Sequence, residues 1–273
     1  MKTLTVIFVT FNSYTVISNC LAQLIEDPSL NIIVVDNNSN DDTPALIKAR
    51  FPSVEVIAQK QNIGYGRAAN VVLRNSDSPY ALLLNPDLTT TPADIRKLWT
   101  YAENDTSNTA IWGPATLRKD FTGELPEQVK WISGSAMLFD VDKIRRVGLF
   151  DENIFLFSEE TDLCERTIKA GYTIKLCRDI YFNHLVGKAT PFSPKVEYMK
   201  WWHFGWSQCY RMIKNGHSTR FRNPTRKYIV YRIHSIISIS RSKRMKWKAK
   251  ADGALAYIRG VKAFRADGTP QMS

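Results

Sequence analysis

The feature that most constrains this chain is an alternation running through its first 90 or so residues, in which short apolar runs are separated by polar breaks and helical stretches. Leu4 to Thr10 is apolar and β-branched, as a strand buried in a parallel sheet requires. Asn12-Ser13 then offers cap chemistry, and Val16, Cys20, Leu21 and Leu24 recur at helical spacing. Ile32 to Val35 is a second buried run and closes on Asp36. Asp42-Thr43-Pro44 opens another helix, with proline early in its first turn. Val54 to Ile57 reads as a third strand, Ala68 to Leu73 as a helix, and Tyr80 to Leu84 as a fourth strand closing on Asn85-Pro86-Asp87. Such a pattern predicts an α/β fold, a doubly wound and mostly parallel sheet of Rossmann-like type. Ligands of these sheets gather beyond the carboxyl ends of the strands, where Asp36 and Asp87 fall.

From about Ala110 the alternation breaks. Trp131 to Phe139 reads as a glycine-containing turn and a strand, Glu160 to Ala170 as a helix, and Thr173 to Cys177 as a strand. From Tyr198 onward the pattern is helical, aromatic and basic. The net charge of +11 is lodged there: residues 195–273 hold 18 Lys/Arg against 3 Asp/Glu, whereas residues 1–194 hold 19 against 23. Two regions are therefore expected, an α/β domain over 1–194 and a basic helical extension over 195–273. Within the extension, Thr225 to Ile237 mixes apolar and cationic residues, and Arg241 to Lys250 adds six positive charges. With Trp201, Trp202, Trp206 and Trp247 this makes an amphipathic surface suited to anionic lipid, the plainer alternative being a helical lid with a solvated basic face.

No apolar run reaches the 18 or so residues of a membrane span. The apolar stretch from Met1 to Val9 is too short for the core of a signal peptide and lacks a small-residue cleavage site. Cys20, Cys164, Cys177 and Cys209 are scattered without a C-x-x-C pair, the pattern of reduced thiols in a cytoplasmic protein rather than of a disulfide framework or zinc site.

Several residues are candidates for chemistry, each beside a plainer role. Asp36, at a strand end before the polar run Asn37 to Thr43, can accept from a base imide or a ribose hydroxyl, or simply cap a helix. Asn62-Ile63-Gly64-Tyr65-Gly66-Arg67 sets two glycines at a helix start, where backbone approaches closely and phosphate is favoured; it is equally a tight turn. It is neither a G-x-G-x-x-G fingerprint nor a Walker A sequence. Asp87 can bind Mg²⁺ or Mn²⁺ shared with a diphosphate, or close an Asx-Pro turn. Glu159-Glu160-Thr161-Asp162 crowds acids into the first turn of a helix, where a dipole stabilises them and where close like charges raise a carboxyl pKa toward that of a general base. Asp162 and Arg166 stand at i, i+4 and can pair. His184, after Ile180-Tyr181-Phe182, is more often structural when found alone.

The order of these motifs is more specific than any one of them. Val9-Thr10-Phe11-Asn12-Ser13, Val35-Asp36-Asn37-Asn38-Ser39, Asn62-Ile63-Gly64-Tyr65-Gly66, Asn85-Pro86-Asp87, Gly134-Ser135-Ala136-Met137-Leu138 and Phe155 to Arg166 follow one another. The series resembles family 2 glycosyltransferases of the GT-A fold, in particular the bacterial rhamnosyltransferase-like branch that builds O-antigen and other surface polysaccharides. The resemblance covers about residues 1–190. It implies that Thr10, Asn12 and Asp36 line a nucleoside pocket, with Asn62, Gly64 and Arg67 near the base or phosphates. It implies that Asp87, with Asn85 in place of the first acid of a D-x-D-like motif, is the main carboxylate ligand of Mg²⁺ or Mn²⁺. His184 matches a further metal ligand of relatives, and Trp131 and Gly134 would sit near the donor sugar and acceptor. Where the family usually carries Glu-Asp-x-Asp this chain has Glu159-Glu160-Thr161-Asp162, so Glu160 stands at the usual base position, with Glu159 and Asp162 as alternatives.

The implied activity is metal-dependent, inverting transfer of a sugar, favouring L-rhamnose from dTDP-L-rhamnose, to a glycan or polyprenyl-diphosphate-linked acceptor at the inner face of the plasma membrane. A UDP-sugar donor such as UDP-GlcNAc, UDP-Gal or UDP-galactofuranose is the alternative within the class. A nucleotidyltransferase is disfavoured because Asn12-Ser13-Tyr14 stands where a Gly-rich basic loop is expected. A non-catalytic nucleotide-sugar-binding or nucleic-acid-binding protein is the reading from another class, disfavoured as the main role because the acidic motifs cluster outside the basic region.

Overall fold

Seven consecutive residues with no exposed face can only be satisfied between two other strands, and β1 (Leu4–Thr10) is buried along its whole length. A computed structural model describes residues 3–185 and 193–271; Met1 and Lys2 of the amino-terminal reading lie outside them. The chain continues with α1 (Tyr14–Leu24), β2 (Leu30–Asp36), α2 (Thr43–Arg50), β3 (Glu55–Ala58), α3 (Tyr65–Asn75), β4 (Tyr80–Leu84) and β5 (Leu88–Thr89). Then come α4 (Pro92–Glu103), β6 (Thr109–Ala115), β7 (Glu127–Val129), β8 (Ala136–Asp140), α5 (Val141–Val147), α6 (Glu159–Lys169), β9 (Thr173–Tyr181) and β10 (Asn183–His184). Three helices close the chain: α7 (Pro194–Lys214), α8 (Pro224–Ile237) and α9 (Arg241–Ile258).

The residues form two compact units. The first, residues 3–62, 67–150 and 163–185, is built on an eight-stranded sheet in the order β3-β2-β1-β4-β8-β6-β9-β7. β3, β2, β1 and β4 are mutually parallel, and β6 runs parallel to β9. β8 is reversed between β4 and β6, and β7 is a reversed edge strand on β9. The mostly parallel GT-A sheet expected from the alternation is therefore present, with one antiparallel strand inserted at its centre.

That reversal matters for the site. Because β8 opposes β4, with Leu84 facing Ala136, the start of β8 lies at the same edge as the end of β4. The register of β1 on β2 pairs Thr10 with Asp36, and that of β6 on β9 pairs Ala115 with Tyr181. One edge of the sheet thus collects the loops after β1, β2, β4 and β9 and the loop before β8.

Besides the short strands β5, β7 and β10, three elements were not set out from the sequence: β6, α4 and α5. β6 contains Gly113 and Pro114 yet is buried throughout. A Cβ at Gly113 would lie 2.7 Å from Ile132 Cδ1, and the ladder shifts register at Pro114/Ala115, where proline has no N–H to donate. α4 is started by Thr91, whose Oγ1 accepts from Asp94 N at 3.1 Å, with Pro92 in the first turn. α5 is capped by Asp140, which accepts from Lys143 N at 3.0 Å, and ends on Gly148 at φ +97°.

The second unit comprises residues 63–66, 151–162 and 193–271. Its core gathers Phe155, Met199, Trp202, Trp206 and Ala263 in one cluster and Cys209, Tyr231, Ala251 and Ala254 in another. The buried indole of Trp206 donates to Val261 O at 2.7 Å, which meets the need of a buried polar edge. α7 and α9 cross at two glycines. A Cβ on Gly205 would lie 2.1 Å from Lys250 O, and one on Gly253 would lie 1.9 Å from Trp202 O. Each glycine therefore admits the other helix's backbone, a closeness no other residue permits. All four cysteines are free and buried. Among the described residues no helix is long and apolar enough to cross a membrane.

Gly253→Ala gains about 1 kcal/mol of helix propensity, but its methyl meets backbone rather than a movable side chain. The variant is expected to lose about 1–3 kcal/mol of unfolding free energy. Chemical denaturation measures this, and an unchanged midpoint would contradict the close crossing.

Candidate active site

At the ends of β1 and β2 a carboxylate is fixed by its own loops. Asp36 is 2% exposed and accepts from Thr10 Oγ1 at 3.2 Å, Ser39 Oγ at 2.5 Å and Ser39 N at 2.9 Å. Ser39 Oγ in turn accepts from Asn12 N at 2.8 Å, and Asn12 Oδ1 accepts from Asn40 N at 2.7 Å. Asn12 adopts a left-handed φ of +54° to do this, and Asn38 one of +64°. Asparagine tolerates that region better than most residues. The network makes Thr10, Asn12 and Asp36 one rigid rim across two strand ends. Ser39, which completes it, was passed over in the sequence because serine in a polar loop carries no signal of its own.

Beside it, the end of β4 meets the turn before β8. Asn85 N donates to Ser135 O at 2.8 Å, and Ser133 Oγ lies 2.7 Å from Ser135 Oγ across Gly134. Trp131, earlier in the same segment, is half exposed. After β4 the chain turns into β5, which pairs antiparallel with β10, setting His184 opposite Leu88 and Asn183 opposite Thr89. Leu185 N donates to Asp87 O at 3.0 Å. This short ribbon brings His184 Nε2 to 3.1 Å from Asp87 Oδ1, although 97 residues separate them. Asp87 is 2% exposed, and His184 retains a partly exposed ring.

A carboxylate and an imidazole converging in this way fit a divalent ion. The hard carboxylate suits Mg²⁺ or Mn²⁺, and the imidazole adds a preference for the softer Mn²⁺. Among the described residues no group of three or more His, Cys, Asp or Glu converges to hold a metal. A metal held by this pair would have to take its remaining ligands from elsewhere, such as the oxygen atoms of a diphosphate.

The acidic motif belongs to the second unit. Phe157 and Ser158 both adopt left-handed conformations, at φ +65° and +71°, immediately before α6. Two successive non-glycine residues in that region cost on the order of 1–3 kcal/mol each and persist only where the surroundings impose them. Here α7 imposes them: Phe157 stacks on Trp201 at 5.8 Å and meets Phe204 edge-on, Ser158 Oγ accepts from Gln208 Nε2 at 2.9 Å, and Ser207 Oγ donates to Leu156 O at 3.0 Å. The sharp turn delivers Glu159, Glu160 and Asp162 to three different environments. Asp162 is fully buried and takes both oxygens to Lys214 Nζ, at 2.7 and 2.8 Å, with Asn215 Nδ2 at 3.3 Å. Glu159 is 6% exposed, and its Oε2 has no hydrogen-bond partner among the described residues. Burial first, and the neighbouring Glu160 charge second, push its carboxyl well above the ordinary 4.5. Glu160 is half-buried, held by Thr161 Oγ1 at 3.0 Å.

Also in this unit, Gly64 has φ +87°, and a Cβ there would lie 2.4 Å from Phe155 O. Tyr65 N donates to that same carbonyl at 3.1 Å. The requirement for glycine at 64 thus comes from the backbone of the segment leading to the acidic turn. In the first unit Asn62 and Arg67 are half-buried, and Asn70 exchanges two bonds with the backbone of Phe150, at 2.9 and 3.1 Å.

Comparison with known proteins identifies the family and the fold. The model of glycosyl transferase family 2 matches residues 5–160, more than half of the chain, and the chain belongs to that family. Within it the chain is similar to the rhamnosyltransferase-like branch. It is 25% identical to an N-acetylglucosaminyl-diphospho-decaprenol L-rhamnosyltransferase of Mycobacterium tuberculosis, over 62% of this chain and 71% of that protein. It is 23% identical to the dTDP-rhamnosyl transferase RfbF of Shigella flexneri, over 66% and 68%. The fold is that of the mannosyltransferase PcManGT from Pyrobaculum calidifontis, solved with GDP-Man and Mn²⁺, with a TM-score of 0.63 at 13% identity over 93% of this chain and 86% of that one. It is also that of Staphylococcus aureus TarS residues 1–349, solved with UDP, with a TM-score of 0.58 at 15% identity over 100% and 97%. The protein is a glycosyltransferase of GT-A fold.

The burial of Glu159 has a pH signature. A carboxyl raised in the folded state keeps its proton above 4.5 while the unfolded chain releases it, so its contribution to stability is present below that value and lost as pH rises through the folded pKa. Glu159→Gln is expected to raise the melting temperature at pH 8 and to change it little at pH 4, read by thermal unfolding across pH. A variant equally stable or less stable at pH 8 would contradict the assignment.

Proposed function

We propose that this glycosyltransferase moves a sugar from a nucleotide donor to an acceptor hydroxyl with inversion, assisted by a divalent metal. The observation that carries the proposal is the buried Asp87 against His184 beyond the end of β4, a pair that needs a ligand's oxygens to complete a metal site. The relatives named for rhamnosyl transfer, one for a dTDP donor and one for a diphospho-decaprenol acceptor, support dTDP-L-rhamnose as donor. The name of the latter likewise supports a polyprenyl-diphosphate-linked acceptor, and the setting we propose is synthesis of a bacterial surface polysaccharide at the inner face of the plasma membrane.

The chain's own residues divide the work. Thr10, Asn12 and Asp36 orient the nucleoside with a rim already rigid before binding, which lowers the entropy lost on association. Asn62, Gly64 and Arg67 serve the base and phosphates, and Asn85, Trp131 and Gly134 serve the donor sugar. Asp87 and His184 would hold Mn²⁺ or Mg²⁺, which when bound offsets negative charge on the leaving diphosphate. Glu160 removes the proton of the acceptor hydroxyl as its oxygen attacks the anomeric carbon; the bond to the diphosphate breaks and its electron pair leaves with the diphosphate. A single displacement inverts the configuration. Glu160 is preferred as base because Asp162 is engaged by Lys214, whereas Glu159 is buried and its carboxyl is pushed above the ordinary range.

Donor binding and turnover across a panel of dTDP- and UDP-sugars, with Mn²⁺, Mg²⁺ or EDTA, tests the reading. Metal-dependent turnover of one donor is expected, lost in Asp87→Ala. Glu160→Gln is expected to lower kcat by about 10²–10⁴ while donor affinity stays near wild type. Metal-independent binding with no turnover of any donor would overturn the catalytic reading, and full activity of Glu160→Gln would overturn the choice of base.

A further inference from the structure

α8 is amphipathic in an unusual sense: the face it turns away from its own unit is the apolar one. Tyr231 and Ser235 are its buried residues, whereas Ile229, Val230, Ile233, Ile236 and Ile237 are 40–70% exposed. Residues 229, 233, 236 and 237 stand at i, i+4, i+7 and i+8 and form one continuous stripe. Ile239 just beyond is 96% exposed. Stripes of this kind on a folded surface mark a contact with something apolar.

Charge says what that something is. From Tyr198 to Ala251 the sequence holds 14 Lys/Arg and not one Asp or Glu. The stripe is bracketed by cations at both ends, Arg222 and Arg226 before it and Arg241, Lys243 and Arg244 after it. At its first end lies a cavity of about 240 Å³, lined by Phe221, Arg222, Asn223, Arg226, Lys227 and Val230 among others, with no acid in its wall. The opening of the 14-residue α8, capped by Asn223 Oδ1 on Arg226 N at 2.9 Å, is at the same place. Arg226 spends one guanidinium N–H on Phe221 O at 2.9 Å, and Arg222 has no side-chain hydrogen bond or ion pair among the described residues. Crowding is already felt there: burial first, then Arg222 and Arg211, draw the Lys227 ammonium below its usual range despite the nearby Cys209. Val230 lines the cavity and adjoins Ile229, the first residue of the stripe, so a cation-lined hollow leads onto an apolar track.

We infer that α8 lies flat in the surface of a bilayer containing anionic phospholipid, with Ile229, Ile233, Ile236 and Ile237 at the acyl boundary and a lipid phosphate in the Arg222–Arg226–Lys227 hollow. Cations at both ends of the stripe hold the helix parallel to the membrane plane, and interfacial helices of this composition bind through apolar area plus attraction to anionic headgroups. The inference rests on the membrane location proposed above and gives it an element and a lipid chemistry.

Cosedimentation of the full chain with vesicles tests it, using phosphatidylcholine alone, phosphatidylcholine with phosphatidylglycerol, and phosphatidylcholine doped with a polyprenyl phosphate. Binding to the phosphatidylglycerol vesicles is expected, weakened by salt. It should fall on the order of ten-fold or more in Arg222→Gln/Arg226→Gln and in Ile233→Asp/Ile237→Asp. These positions are largely exposed, so thermal melting should stay near wild type, and the emission of Ile236→Trp should shift to the blue on anionic vesicles. Equal affinity for neutral and anionic vesicles, binding only where polyprenyl phosphate is present, or variants that bind as wild type would each overturn the inference. Donor turnover on a water-soluble acceptor, without vesicles, is read in parallel. Turnover without vesicle binding sinks this inference alone, and vesicle binding without turnover sinks the catalytic reading alone.

Discussion

A two-residue ribbon holds the proposed metal pair of this protein in place. β5 and β10 are too short to be stable alone, yet their pairing places His184 against Asp87 and ties Leu185 N to Asp87 O. A carboxylate only 2% exposed is costly unless it is paired, hydrogen-bonded or bound to a metal. The eight-stranded sheet supplies the anchorage, because β4 and β9 both end at the edge from which the ribbon springs. Reversal of β8 adds the Ser133–Gly134–Ser135 turn to the same edge and bonds it to Asn85. Sheet topology thus converts residues scattered from Thr10 to His184 into one set of neighbours.

The acidic turn obeys a different logic. Its geometry is paid for by two left-handed residues, and the second unit holds them with an aromatic stack and two polar clamps from α7. Within four residues the turn produces a buried glutamate whose carboxyl is raised by burial, a half-buried glutamate and an aspartate paired with Lys214. Separating neighbouring carboxyls by environment is how one segment of chain furnishes distinct acid and base characters.

Much of this was legible in the sequence, for a local reason. Strands buried on both faces must be apolar throughout, so β1, β2 and β4 announce themselves, and the acid or amide that ends each falls at the ligand edge. β6 did not, since its Gly113 and Pro114 interrupt the apolar run and the crowding by Ile132 and Ala136 O that favours glycine there comes only from the fold. α4, with its cap at Thr91 and buried Ile95, Leu98, Trp99 and Ala102 at helical spacing, was legible and passed over, whereas the seven-residue α5 has only Val141 and Ile144 behind its Asp140 cap. The partnership of Asp87 with His184 spans 97 residues and that of Asp162 with Lys214 spans 52, so neither leaves a mark in local spacing. His184 was reached through the family resemblance alone. For Gly64 the structure bears out the tight-turn alternative, and the neighbour that demands glycine there, Phe155, came only from the fold.

The most direct test of the metal-assisted site is Mn²⁺ binding followed by the loss of the free-ion electron paramagnetic resonance signal, with and without a nucleoside diphosphate. A two-ligand site that borrows oxygens from the donor should bind Mn²⁺ weakly alone and much more tightly with dTDP or UDP. That gain should disappear in Asp87→Asn and shrink in His184→Ala. Tight Mn²⁺ binding independent of nucleotide, or binding indifferent to both substitutions, would contradict it.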